Sequence, residues 1–169
     1  MLKIIDDLML FFEDCYRRIS VREYARLIKI SPPTASKMLS DYSKEGLLRM
    51  EKYRNYILYY ANKENAEFID LSRIYWRSKL RELLDFIDKE LVSPTVVLFG
   101  SLAKAEVKSD SDIDLAVFSV KRELDVSEFE KRIKRKIQLF VFKSLKDIKS
   151  RELANNIVNG YILKRRLLL

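Results

Sequence analysis

The N-terminal third of the chain carries helix signals that begin at position 20. Ser20 and Glu23 have the types and spacing of a capping box, in which the serine side chain accepts from the glutamate N–H and the glutamate side chain accepts from the serine N–H. The box predicts a helix that begins at Val21. Its apolar positions lie three or four residues apart and so share one face of that helix: Tyr24, Ala25, Leu27 and Ile28.

A second helix and a hairpin follow. Ser31 is a favoured N-cap and Pro32 suits the first helical position, so the pattern predicts a helix from Pro32 to Glu45. Gly46 suits the stop that follows it. Beyond this glycine, β-branched and aromatic residues predict two strands, Leu47 to Tyr53 and Tyr56 to Ala61, joined by a basic tip.

A long segment without Pro or Gly follows the hairpin. Its apolar residues recur at helical intervals from Ala66 to Leu91, which predicts one long amphipathic helix that ends before Pro94. Trp76 lies on or beside its apolar stripe and is expected to be packed. Together with residues 3–18, this helix is expected to provide the interface of a homodimer.

The remaining residues predict a small sheet with helices. Strands are expected at residues 95–99, at 112–118, from Ile137 to Phe142 and from Tyr161 to Lys164. Two further capping boxes predict helices from residue 125 to about Arg135 and from Ser144 to about Asn159. The basic residues near 131–136 are expected to form a solvated helix face.

The strongest chemical signal joins two of these strands. Gly100 and Ser101 end the first strand, and after ten more residues Asp112 and Asp114 begin the second. Strand alternation places both aspartates on one face, where hard carboxylate oxygens suit Mg²⁺ or Mn²⁺ bound together with phosphates. Gly100 lets backbone approach a triphosphate, which Ser101 can contact through a hydrogen bond.

This segment resembles the minimal nucleotidyltransferases of the DNA polymerase beta-like superfamily, whose signature is Gly-Ser, ten residues, Asp-x-Asp. The resemblance runs from about residue 95 to the end of the chain. It implies a nucleoside triphosphate bound at Gly100, Ser101, Lys104 and Ser111, catalytic and metal-binding roles for Asp112 and Asp114, and transfer of a nucleoside monophosphate to a hydroxyl. Members of this family often modify a partner protein, as in toxin and antitoxin pairs with helical HEPN-type ribonucleases, so the resemblance also implies a protein as the acceptor of the nucleoside monophosphate.

Two positions depart from the family pattern. Ala105 stands where relatives usually have Gly, and Gln138 stands where they have a third carboxylate on the next strand. A neutral amide is a poor Mg²⁺ ligand, so nucleotide binding can survive while turnover falls. The alternatives are therefore a weak or inactive nucleotide-sensing regulator, a scaffold, or a solvated strand face. A calcium loop is excluded because Leu115 occupies the position of its required glycine.

The stretch from residue 20 to 65 resembles the winged helix-turn-helix domains of archaeal and bacterial regulators. The resemblance implies that the second helix enters the DNA major groove and that the wing meets phosphates or the minor groove. The expected DNA contacts are Pro33, Thr34, Ser36, Lys37, Lys52, Arg54 and Asn55. The alternative is a winged helix kept only for dimerisation or protein docking.

The sequence therefore predicts an α+β protein of three parts. These are a winged helix-turn-helix domain at 1–65, a linking and dimerisation helix at 66–92, and a nucleotidyltransferase-like domain at 93–169 with a small mixed sheet and flanking helices. The expected partners are DNA, a second copy of the chain and an acceptor protein such as a HEPN-type ribonuclease. No membrane is expected among them.

Composition narrows the function classes. Without histidine, the chain cannot use Ser-His or Cys-His catalysis or form a usual zinc site. The single Cys15 is expected to be a core thiol of a cytoplasmic protein, because no second cysteine can pair with it. The net charge of +8 favours a polyanionic partner. A content of 34% charged residues is equally typical of heat-adapted proteins, so both explanations stay open.

Overall fold

The computed structural model describes residues 2–120 and 123–165. The chain divides into two compact units, Met1–Ser72 with Ala105–Ser109, and Arg73–Lys104 with Asp110–Leu169. This division does not coincide with the limits expected at 1–65, 66–92 and 93–169, which stay a prediction. Residues 1, 121, 122 and 166–169 of those predicted parts lie outside the described residues.

The first unit contains helices and an antiparallel three-stranded sheet. Its elements are α1 (Lys3–Glu13), β1 (Ile19–Ser20), α2 (Val21–Ile28), α3 (Pro32–Lys44), β2 (Leu48–Tyr53) and β3 (Tyr56–Ala61). The strand order is β1-β3-β2. The two helix starts are as predicted, because Ser20 accepts from the Glu23 N–H and Ser31 accepts from the Thr34 N–H. Strand β1 was not predicted, since two residues carry no periodic signal.

A buried carboxylate helps to hold these helices together. Asp7 on α1 is only 8% exposed, and its Oδ2 accepts a hydrogen bond from the Tyr42 hydroxyl at 2.7 Å. The Tyr24 hydroxyl donates to the Asp7 backbone carbonyl at 2.8 Å. Burial first, and then the Asp7 hydrogen bond and charge, raise the pKa of Tyr42 above its ordinary value. Both phenols therefore stay neutral donors.

The long helix expected from residue 66 to 91 is wrong as a single element. Two helices occupy this stretch, α4 (Ala66–Lys79) and α5 (Arg81–Glu90), and Leu80 between them has a ψ of 3°. Trp76, Leu80 and Leu84 are all buried and lie four residues apart, so the helical spacing of apolar residues continues across the break. The spacing alone therefore could not indicate where α4 ends.

The second unit is built around a four-stranded mixed sheet. Its further elements are β4 (Thr95–Phe99), α6 (Gly100–Ala103), β5 (Ile113–Phe118), α7 (Ser127–Ile133), β6 (Ile137–Phe142), a 3-10 helix (Leu145–Asp147), α8 (Arg151–Val158) and β7 (Tyr161–Lys164). The strand order is β6-β5-β4-β7. Strand β5 runs parallel to β6, and β4 runs antiparallel to both β5 and β7. The four strands expected in this part of the chain are confirmed.

Two helices of this unit differ from expectation. Helix α7 ends at Ile133, before the predicted Arg135, because Lys134 adopts a left-handed conformation with φ 60°. The box at Ser144 forms, but it caps only the 3-10 helix. Ile148 then takes an extended conformation and enters the core next to Val97, so a new helix starts with Ser150 as its N-cap.

The single cysteine and the apolar character of the helices bear on where the protein can reside. Cys15 is buried, as expected, and burial raises the pKa of its thiol to about 11, which keeps the sulfur protonated and unreactive. Among the described helices, none combines the length and the apolar character that crossing a bilayer requires.

Candidate nucleotide site

Strand register brings the predicted site residues together at one end of the sheet. Asp114 on β5 pairs with Phe99 on β4 and with Gln138 on β6. Gly100 directly follows Phe99, so the Gly-Ser turn begins beside Asp114. Residues that lie 12 to 38 positions apart in the sequence thus meet, because β4 ends at the point where β5 and β6 begin.

Gly100 lies in direct contact with one of the carboxylates. Its φ of +70° is in the left-handed region that favours glycine. A Cβ placed on Gly100 would overlap Asp114 Oδ2 and approach its Cγ to 3.2 Å. The Asp114 carboxylate therefore occupies the space that any other side chain at position 100 would need.

The two aspartates lie close enough for their charges to interact. Asp114 is half-buried, and desolvation by burial is the largest cause that raises the pKa of its carboxyl group; the charge of Asp112 raises it further. Ionising both carboxylates in this environment is therefore unfavourable without a positive charge beside them.

Gln138 occupies the position expected for a third carboxylate and donates to the first. Its Nε2 lies 2.7 Å from Asp112 Oδ2. Three acidic residues between β5 and β6 could supply a carboxylate in its place, but they form contacts elsewhere. Asp125 accepts from the Ser127 N–H, Glu128 pairs with Lys131, and Glu130 accepts from the Ile137 N–H at 2.8 Å.

The other residues expected to bind the nucleotide differ in how they are held. Ser101 is half-buried in the first turn of α6. Lys104 is exposed, and its Nζ lies 3.3 Å from Oδ1 of Asn156 on α8. Ser111 contributes a backbone carbonyl, which accepts from Arg135 Nη1 at 2.7 Å.

Lys108, a second lysine between the Gly-Ser turn and the aspartates, has a different neighbour. It belongs to the first unit, and its Nζ lies 5.7 Å from the ring centroid of Tyr16. That distance is within the range of a cation–π contact. The described contact thus links Lys108 to Tyr16 and gives no support to a phosphate role.

Ala105 adopts the backbone conformation that explains why relatives prefer glycine here. Its φ is +53°, in the left-handed region, and its side chain is fully buried. A residue with a Cβ pays about 1–2 kcal/mol for this conformation. The substitution therefore retains the turn at a cost in stability and does not prevent the turn from forming.

The donor set fits one divalent cation. Two carboxylates with mutually unfavourable charges and partial burial are the oxygen ligands that Mg²⁺ prefers, with water and substrate phosphates completing its shell. Within residues 2–120 and 123–165, no group of three or more Cys, Asp or Glu residues could hold a metal ion. Asp112 and Asp114 are thus the candidate ligands of a single ion.

Comparison with protein families adds independent information. The family described as "Polymerase beta, Nucleotidyltransferase" matches residues 81–166, just over half of the chain. The chain belongs to this nucleotidyltransferase family. No curated protein and no solved structure matches significantly. The match covers α5 through β7, including the Gly-Ser turn, both aspartates and Gln138, and of the first unit it includes only Ala105–Ser109.

The residues expected to contact DNA lie on the first unit, outside the family match. Pro33, Thr34, Ser36 and Lys37 are exposed near the start of α3, and Lys52, Arg54 and Asn55 are exposed at the hairpin. The hydroxyl groups of Ser31 and Thr34 lie 2.7 Å apart, so Thr34 also belongs to the helix cap. These positions are accessible, but accessibility alone does not test a role in DNA binding.

The charge pattern of residues 131–136 misled the prediction for one residue beside the candidate site. Arg135 was expected on a solvated helix face, but it is 8% exposed and bonds to the residue before Asp112. Composition could not distinguish it from its basic neighbours. The observation that α7 ends at a left-handed Lys134, which turns the next residue away from the helix face, is structural.

Replacing Gly100 by Ala tests the contact with Asp114. We expect Gly100→Ala to lower stability by more than the about 1–2 kcal/mol of left-handed strain, because its Cβ must also displace the carboxylate. Gly46→Ala is the control, since Gly46 has a φ of +79° but its added Cβ would meet Asn65 Nδ2 at an ordinary 3.4 Å. Urea unfolding measures both losses, and equal losses would contradict the proposed overlap.

The raised pKa of Asp114 predicts a pH-dependent cost. A carboxyl group whose pKa is higher in the folded state destabilises the fold when it is ionised, and this cost disappears as the pH falls through the raised pKa and below 3.8. Asp114→Asn should therefore raise the melting temperature at pH 7 without divalent cations, and the gain should vanish towards pH 3. Asp110→Asn, at an exposed position, is the control. A gain independent of pH would refute the electrostatic origin.

Proposed function

We propose that this protein binds a magnesium nucleoside triphosphate at the edge of the β4–β5–β6 sheet and transfers its nucleoside monophosphate to an acceptor hydroxyl. The observation that carries the proposal is the convergence of Asp112 and Asp114 beside the left-handed Gly100 turn. Membership of the nucleotidyltransferase family supports the reaction class.

The residues of the chain have separable tasks in this proposal. Asp112 and Asp114 would hold Mg²⁺ or Mn²⁺, which supplies charge neutralisation for the triphosphate and acidifies a nearby hydroxyl. The first backbone N–H groups of α6 lack partners within the helix and, with Ser101, would donate to phosphate oxygens. Lys104 would add a positive charge, positioned by Asn156.

The proposed transfer is a displacement at the α-phosphorus. The acceptor oxygen forms the new bond to phosphorus and gives up its proton to solvent. The bond to the bridging oxygen of the β-phosphate breaks, and pyrophosphate leaves. Gln138 cannot take the proton or bear negative charge, so the chain provides less assistance to the attacking hydroxyl than a third carboxylate would.

A second function is favoured by one specific contact. The Gln138 amide donates to Asp112 Oδ2 and thereby satisfies an oxygen that would otherwise need a cation or water. This arrangement supports a protein that binds the nucleotide and turns it over slowly or not at all. Such a protein would act as a nucleotide-sensing regulator, with the nucleotide altering the properties of its first unit.

Labelled triphosphates distinguish transfer from sensing. We expect the protein with Mg²⁺ to bind at least one of the four nucleoside triphosphates and Asp112→Asn to abolish binding, with Asp110→Asn as the control. Gln138→Asp should raise label transfer to protein acceptors by about a hundred-fold, the lower range of a general-base contribution. Binding without transfer in both wild type and Gln138→Asp supports the sensor. Absence of cation-dependent binding would refute both functions.

DNA binding by the first unit is the second part of the proposal. Two helices joined by a short turn and followed by the β2–β3 hairpin have the element order of a winged helix-turn-helix domain. The exposed polar and basic residues at the start of α3, together with Lys52, Arg54 and Asn55, suit a phosphate-lined groove. A net charge of +3 over residues 1–65 supports this assignment.

The acceptor and the assembly state are proposals of the same kind. An acceptor hydroxyl on a partner protein, such as a HEPN-type ribonuclease, would fit a small transferase domain. A homodimer would match two DNA half-sites. Its interface would have to use surfaces other than the apolar stripes of α4 and α5, because Phe68, Trp76 and Leu83 are buried within one chain.

Two substitutions test the DNA assignment. Lys37→Ala and Arg54→Ala should each weaken binding to duplex DNA, and Arg54→Ala should lower the slope of log affinity against log salt by about one unit if Arg54 meets a phosphate. Lys44→Ala is the control, since Lys44 is equally exposed but lies in the last turn of α3 beside Asp41. Fluorescence anisotropy measures each affinity, and unchanged binding in both variants would leave the hairpin and α3 as a docking module.

A further inference from the structure

Arg135 is a buried cation next to the candidate metal ligands. It follows Lys134, whose left-handed conformation ends α7, and its side chain is only 8% exposed. Its Nη1 donates to the backbone carbonyl of Ser111 at 2.7 Å. Because Ser111 immediately precedes Asp112, this bond fixes the backbone that presents the first carboxylate.

Trp76 restricts where the Arg135 guanidinium can lie. The guanidinium carbon is 5.3 Å from the centroid of the indole ring, within the range of a cation–π contact. Trp76 itself is fully buried on α4. A planar guanidinium can cover the ring and donate at its edge at the same time, which a lysine ammonium cannot reproduce.

Arg135 belongs to a group of three hydrogen bonds that join two segments. We name these bonds the clamp: Arg135 Nη1 to the Ser111 carbonyl, the Ile113 N–H to the Lys136 carbonyl at 2.8 Å, and Gln138 Nε2 to Asp112 Oδ2. Arg135 and Lys136 of the α7–β6 connection, together with Gln138 of β6, thus hold Ser111, Asp112 and Ile113 at the start of β5. Arg135 also contacts Trp76, on a helix outside the sheet.

We propose that Arg135, held against Trp76 and bonded to the Ser111 carbonyl, is a positioning residue that keeps Asp112 in place to receive a cation-bound nucleotide. The inference rests on the proposed nucleotide site and adds to it the residue on which the placement of Asp112 depends. It also makes Trp76 a reporter of the site, because it is the only tryptophan of the chain. Occupancy at Asp112 changes the clamp and therefore the surroundings of the indole.

Hydrogen exchange tests the positioning role without any ligand. Arg135→Met removes the donor but keeps a side chain of similar length, and Arg132→Met is the matched control, because Arg132 pairs with exposed Glu82 instead. We expect faster amide exchange in the peptide covering residues 110–114 of Arg135→Met alone, with exchange elsewhere unchanged. Equal exchange in the two variants would overturn the proposal. If Arg135→Met does not fold, Arg135→Lys takes its place. It keeps the charge, and amide exchange in residues 110–114 should still be faster than in Arg132→Met.

A nucleotide titration tests the link to the site. Adding ATP with Mg²⁺ should change Trp76 emission in the wild type and in Arg132→Met. Arg135→Met should weaken the affinity, measured by calorimetry, by about ten- to a hundred-fold, the usual effect of losing a residue that orients a ligand. Affinity equal to that of Arg132→Met would overturn the inference. If the wild type binds none of the four nucleoside triphosphates with Mg²⁺, the proposed function fails, and the exchange measurement alone decides whether Arg135 positions Asp112.

Discussion

The candidate site depends on holding two like charges close together in a partly buried position. Partial burial of Asp114 and the charge of Asp112 both favour the neutral form, and an unrestrained pair would separate or bind a proton. Strand register and the clamp, which includes the bond from Gln138, keep the aspartates together. The fold therefore maintains an arrangement that costs stability by itself and would become favourable with a cation bound. Such a balance is expected at a ligand site.

Gln138 changes this balance in an informative way. A third carboxylate would add to the repulsion and increase the demand for cations, whereas the amide donates a proton to Asp112 and reduces both. Compared with a third carboxylate, the amide thus lowers the negative charge of the candidate site. Ala105 is a similar compromise, since it keeps a left-handed turn that glycine would adopt without strain. Both departures affect energies and leave the backbone path intact.

Local signals in the sequence predicted much of the fold. The caps at Ser20 and Ser31 and the stop at Gly46 operate through neighbouring residues, and they placed α2 and α3 correctly. The Gly-Ser turn and the Asp-x-Asp strand likewise indicated the site, because both are contiguous. The break at Leu80 and the entry of Ile148 into the core depend on tertiary packing, so helical spacing and capping boxes misled the prediction there. Arg135 escaped notice for the same reason, since only the turn after α7 directs it inward.

Because Gly100 and Asp114 share one volume, we expect substitutions at these two distant positions of the sequence to depend on each other. The space beside the Gly100 backbone is filled by a carboxylate from another strand, so a larger residue at position 100 becomes tolerable in volume only after position 114 has become smaller. Loss of the site in a descendant of this chain should therefore begin with the aspartate, and a surviving glycine would be its last trace. The order of decay is set by which of the two side chains occupies the shared volume.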